Sequence, residues 1–197
     1  DTRPFADTEL MDEVLIHNWN ERVTDEDTVY VLGDAFWKNE ESSVKIIQRL
    51  NGHKHLIRGN HDRVHGRLRF HWESIEQYAE INDGNTLVIM SHYPIMFYKN
   101  QHYGSVMLYG HVHNTREWQL VEKWKHEQWD MGIPSRLINV GCMMDYMPAY
   151  CESWFPNEHI IDYMNLPYDD REKFLPFCVW YDEEPIKLVT EKEAEPK

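Results

Sequence analysis

Positive charge is what this sequence has least of. Twenty Lys and Arg stand against 34 Asp and Glu, a formal net charge of −14. Such a surface repels polyanions at long range. Binding along an extended nucleic-acid backbone needs clustered Lys and Arg, so that class of partner is disfavoured. A small phosphorylated substrate held by bound cations stays compatible, because the cations bring their own positive charge. Cysteine is scarce as well. Cys142, Cys151 and Cys178 are odd in number and form no CxxC pair, which argues against a disulfide framework and a thiolate zinc knuckle. No apolar run reaches membrane-spanning length, and no secretory leader is read at Asp1. These absences lead to the expectation of a cytoplasmic protein with reduced thiols and no membrane partner. Aromatic residues are not lacking, and 42% of the chain is hydrophobic, enough for one folded domain with its own core.

Periodicity predicts a helix from about Thr8 to Arg22, with Thr8 as N-cap and Leu10, Val14, Leu15 and Trp19 as its apolar stripe. A second helix is expected from about Ser42 to Asn51, stopped by Gly52. The region from Val64 to Ile81 reads as helical in part, and Glu117 to Trp129 as a packing helix. Five short apolar runs read as buried strands: Thr28–Gly33, His55–Gly59, Thr86–Ser91, Ser105–Gly110 and Arg136–Gly141. Beyond Met147 the pattern weakens to a short helix near Asp169–Phe174 and a strand near Ile186–Val189. Strands alternating with helices imply a layered α/β domain. One domain is expected over 1–190, and Glu191–Lys197 reads as a charged, solvated tail.

The residues that follow the runs carry the chemistry. Asp34, Asn60 with His61, His92, and His111 with His113 each come directly after a run ending in Gly or Ser. In open α/β sheets ligands bind beyond the carboxyl ends of strands. Residues two apart in extended chain project to one side, so His111 and His113 can face one cation or two neighbouring ones. Asp34 has two oxygens and Asn60 a neutral amide oxygen. Imidazole, carboxylate and amide together suit Mn, Fe, Zn or Ni better than a metal that favours thiolates. Any one of these residues alone would be read as an ordinary turn or surface group; their joint occurrence at successive strand ends points to a metal site.

Gly33-Asp34, Gly59-Asn60-His61-Asp62, Ser91-His92-Tyr93-Pro94 and Gly110-His111-Val112-His113 resemble the ordered motifs of calcineurin-like metallophosphoesterases. Arg3-Pro4-Phe5, Trp19-Asn20 and Asn139-Val140-Gly141 are similar to the small bacterial and phage-type members. The resemblance covers about Arg3 to Tyr150. It implies two mixed β-sheets in a sandwich flanked by helices, a four-layer α-β-β-α fold. It implies two divalent transition metal ions, Mn favoured. Asp34 would bridge them, Asn60, His92 and His111 would complete one shell, and His113 would serve the other. His61 would be the general acid or charge stabiliser, and Asp62 would orient it. The implied activity is hydrolysis of phosphoesters by metal-bound hydroxide, with a small or nucleotide-type phosphodiester as substrate. Arg58, Arg63, Lys99 and Arg116 lie near the motifs and could meet phosphate, though solvated surface charge is the more ordinary reading. Tyr93 and Tyr98 could stack on a base or simply pack.

The family pattern opens with an Asp-x-His motif on a first strand upstream of the Arg-Pro-Phe region, and no such strand precedes Asp1. A sequence trimmed at its start is the favoured account. A strand supplied by another chain, or a one-metal relic acting as a binding module, are the alternatives. Asp1 and His17 are not expected to substitute for the motif.

Overall fold

A computed structural model describes residues 7–113 and 115–141. These belong to one unit of the chain, Phe5–Gly141. The three cysteines and the elements expected beyond Met147 lie outside the described residues.

Helix α1 spans Thr8–Asn20, and its cap is Asp7 rather than Thr8: the Asp7 carboxylate accepts from the Leu10 amide at 2.7 Å. Helix α2 spans Glu40–Ile47 and begins earlier than the apolar periodicity implies. Asn39 caps it, accepting from the Ser42 amide at 3.0 Å. In both cases a short polar side chain satisfies an amide that the first helical turn leaves without a partner. Helix α3, Arg116–Asp130, occupies the segment expected to be a packing helix. The Trp19-Asn20 pair has a structural use. The indole donates to the Asn51 carbonyl at 3.0 Å, and the Asn20 amide group bonds the main chain of Arg49 and Asn51. The end of α1 is thereby tied to the turn that follows α2.

Among the described residues seven strands form two sheets. The first contains β1 (Thr28–Val31), β2 (His53–Ile57) and β3 (Ser74–Glu76), all parallel, in the order β1-β2-β3. The second contains β4 (Tyr78–Asp83), β5 (Thr86–Ser91), β6 (Val106–Tyr109) and β7 (Leu137–Asn139) in sequence order. Within it β4 runs antiparallel to β5, and the rest are parallel.

Val64 to Ile81 corrects the sequence reading. It holds one 3-10 turn, Leu68–His71, and then two strands. Along β4, Ala79 and Ile81 point inward while Glu80 and Asn82 are exposed. A two-residue turn, Gly84-Asn85, brings Asp83 opposite Thr86, and Gly84 takes the left-handed conformation at φ 56°. Period-two alternation beside an Asp-Gly turn is a hairpin signal that outweighs a vague helical pattern.

Alternation along the strands builds four layers. Val31 and Leu56 face α2 and the 3-10 turn, in a core with Val44, Ile47, Leu68 and Trp72. Their neighbours Tyr30, Leu32 and Ile57 face the second sheet, meeting Ala79, Met90, Val88 and Leu108. Ile89, Met107, Tyr109 and Leu137 face outward onto Val121 and Trp118 of α3. The chain is therefore a sandwich of two sheets flanked by helices, as the motifs implied.

Ile47 is 1% exposed in the core beneath α2. Ile47→Ala is expected to cost about 2–5 kcal/mol and Ile47→Val about 0.5–1.5 kcal/mol. Urea denaturation checks this; equal losses for the two variants would contradict the packing described.

Candidate metal centre

The loops that leave β1, β2, β5 and β6 at their carboxyl ends converge from both sheets. Asp34, Asn60, His92 and His111 stand within three residues of those strand ends. Two of the loops cross at a separation that excludes side chains. A Cβ on Gly33 would lie 2.3 Å from His92 Nδ1 and 2.7 Å from the Gly59 nitrogen. A Cβ on Gly59 would lie 2.3 Å from Asp34 Oδ1. Glycine is required at both positions for the backbones to approach this closely.

Asp62 fastens the crossing. Its buried carboxylate accepts from the amides of Asp34 (2.8 Å), Ala35 (2.9 Å) and Gly59 (2.7 Å). The resemblance implied that Asp62 orients His61; the bonds given to its carboxylate among the described residues are to the main chain. Its oxygens are turned to three main-chain donors, so it holds the two loops together and acts on their backbone.

His92 is 2% exposed and its Nδ1 donates to the Leu32 carbonyl at 2.7 Å. That bond sets the tautomer of the neutral ring and leaves a lone pair on Nε2. Nε2 faces Asn60 Oδ1 at 3.0 Å, His111 Nδ1 at 3.1 Å and Asp34 Oδ2 at 3.6 Å. Oxygens of an amide and a carboxylate cannot donate a proton to it. Acceptors converging on one point at this spacing suit a cation with nitrogen and oxygen ligands. Asp34, His92 and His111 each offer such an atom, all within 4.8 Å of one another. The donor set therefore fits a divalent metal ion.

The backbone is strained at the same place. Asp34 (φ 52°), His111 (φ 62°) and His113 (φ 47°) all adopt the left-handed region. This costs a non-glycine residue about 1–3 kcal/mol and is concentrated at functional sites. His113 lies outside the tight cluster. It is exposed, and its carbonyl accepts from the side-chain amide of the buried Asn139 at 3.0 Å.

His61 is exposed beside the cluster. Its amide donates to Asp34 Oδ1 at 2.9 Å, and its ring lies against the Trp37 indole with centroids 4.1 Å apart. Tyr93 is half-exposed and meets His111 edge-on at 4.4 Å. Tyr98 is a packing residue, buried, with its hydroxyl accepting from the Arg136 amide. Arg58, Arg63 and Arg116 are exposed, and Lys99 is paired with Glu80. His17 lies in α1, paired with Glu21, and faces solvent. Trp37 and Asn139 were missed as site residues. Asn139 carried a signal in the Asn139-Val140-Gly141 motif, where it was given no role; Trp37 carried none.

The family model described as calcineurin-like phosphoesterase matches residues 5–170. The chain belongs to the calcineurin-like phosphoesterase family. An uncharacterized protein of Methanocaldococcus jannaschii, MJ1445, is 44% identical over 69 residues, 34% of this chain and 39% of that protein. The Gene 66 protein of Mycobacterium phage D29 is 27% identical over 124 residues, 49% of this chain and 62% of that protein. The phage relative fits a small bacterial or phage-type member. The chain covers less than two thirds of the length of either curated relative. A solved structure from Aquifex aeolicus, of a protein of unknown function, AQ665, superposes with TM-score 0.58 over 81% of this chain and 88% of that one. At 20% identity that likeness is one of fold. Among the described residues no helix is long and apolar enough to cross a membrane.

Asp62→Asn keeps the size of the clamp but sets an NH2 group against an amide. A loss of about 1–3 kcal/mol is expected, with weaker metal binding; denaturation and metal titration would check it, and an unchanged variant would remove the clamp. Burial, then the adjacent His92, holds the His111 imidazole below its usual value of 6.5. The unfolded chain takes up that proton near pH 6.5 while the folded one resists, so metal-free stability should fall as pH drops below 6.5. The decline should be shallower in His111→Asn, read as thermal midpoints across that pH range.

Proposed function

We propose that the protein is a two-metal phosphodiesterase acting on a small or nucleotide-type substrate. The observation that carries this reading is the convergence of acceptor atoms around His92 Nε2, whose tautomer is set by the Leu32 carbonyl. Asn60, His92, His111 and Asp34 would hold one cation. Asp34 would share its second oxygen with another, and His113, from the same loop as His111, would serve that second site. Mn is the favoured metal, given hard oxygen donors beside imidazole. Bound cations would supply positive charge against the phosphoryl group and activate water.

The chain's own residues have distinct work. The His61 amide steadies the Asp34 carboxylate, and its exposed ring stands where it can protonate a leaving oxygen. Tyr93 offers a half-exposed aromatic face beside His111 for a base or similar ring. The net charge of −14 disfavours dianions and long polyanions, which supports a monoanionic diester over a monoester or duplex DNA.

Metals per chain, measured by plasma mass spectrometry after loading with Mn and removal of the excess, test the centre. About two per chain are expected for wild type, and marked loss in Asp34→Ala and His92→Ala. One per chain would replace the two-metal reading with a one-metal site acting in binding; full occupancy in Asp34→Ala would remove Asp34 as the bridge. His61→Ala should keep its metal and lose about 10²–10⁴-fold in turnover of a diester with a poor leaving group. Wild-type turnover there would rule out the proton-donor role.

A further inference from the structure

We propose that Trp37 is a positioning residue for His61: its indole forms the wall against which the imidazole is held. The inference rests on His61 as proton donor, proposed above. The indole and imidazole centroids are 4.1 Å apart with their planes inclined by 32°. A side chain that delivers a proton must be held in direction as well as place, because about 1 Å of displacement can cost 10²-fold. Hydrogen bonds usually do this for a histidine. Here they do not. The His61 hydrogen bond is made by its main-chain amide, and the Asp62 carboxylate is taken up by the amides of Asp34, Ala35 and Gly59. Among the described residues, the contact on the His61 ring is the Trp37 indole.

The chain route supports the same assignment. Trp37 follows Asp34 by three residues on the loop that Asp62 fastens. Ala35 and Phe36 pack into the core beneath α2, with Phe36 against Trp72 at 6.4 Å. Trp37 is left 66% exposed. Core packing therefore gives no reason for a tryptophan here, whereas a wall for His61 does. The loop that presents the Asp34 carboxylate would then also set the direction of the His61 ring, so that both keep a constant relation to one substrate.

The test uses Mn-loaded full-length chain and two diesters: bis(4-nitrophenyl) phosphate, whose leaving group needs little protonation, and a dinucleoside monophosphate, whose alkoxide leaving group needs it. Trp37→Ala is expected to lower kcat about 10-fold on the second, with KM nearly unchanged and a smaller effect on the first. Trp37→Phe should restore most of the loss. In a His61→Ala background, Trp37→Ala should cost nothing further, because a residue acting through His61 has nothing left to act on. Independently of activity, in the metal-free chain the His61 ring protons should show an indole ring-current shift in NMR spectra that disappears in Trp37→Ala, while both proteins load Mn to the same content. A raised KM at constant kcat would make Trp37 a substrate contact and overturn the inference, as would an equal loss in the His61→Ala background. If His61→Ala is inactive while Trp37→Ala turns over at the wild-type rate, the inference fails and the role of His61 stands. If His61→Ala itself is fully active, the proton-donor reading fails first, and this inference with it.

Discussion

Three main-chain amides pointing at one buried carboxylate hold the functional end of this molecule together. An ionised Asp62 side chain would be costly away from water. The amides of Asp34, Ala35 and Gly59 offset that cost with short, charge-assisted bonds. The donors come from two different loops, one after β1 and one after β2. The bonds therefore do more than satisfy a charge; they set the separation of the loops. At that separation there is no room for a Cβ on Gly33 or Gly59. The glycines and the aspartate are one device, in which the glycines permit the approach and the carboxylate enforces it.

The device extends to the second sheet through His92. Its ring leaves the end of β5 and bonds the carbonyl of Leu32, just beyond β1. Its own carbonyl accepts from Gly110, at the end of β6, at 3.1 Å. The residue that presents Nε2 to the centre thus also stitches the two sheets at their carboxyl ends. Ligand direction becomes a consequence of sheet packing, the outer support that metal centres need. Displacing either sheet would move His92 relative to Asp34 and Asn60.

Such a centre gathers ligand atoms at one point. Atoms of oxygen and nitrogen stand 3.0 to 3.6 Å from His92 Nε2, and three residues there hold left-handed backbone. The surrounding cores can maintain that arrangement because each sheet has apolar packing on both faces. A cation at the centre would be held by these atoms together. Function and folding are then linked at one point, with strain kept where chemistry would use it.

Much of this was legible in the chain itself. Runs such as Thr86–Ser91, short, apolar and rich in β-branched residues, read as buried strands, and their polar successors point to a site at the strand ends. The motif order identified the family before any geometry was known. Local signals misled where two periodicities competed, as in the stretch before Gly84, where the strands β3 and β4 take the place of the expected helix. Sequence could not assign Asp62, because a carboxylate beside a histidine reads as its partner until the positions of distant amides are known. Nor could it assign Trp37, because the position of its indole over His61 depends on two loops meeting from separate strands. Residue types and their order along the chain determined which chemistry is possible. Only the tertiary structure decided which atoms face one another, since hydrogen-bond partners 27 and 60 residues apart meet only once both sheets have packed.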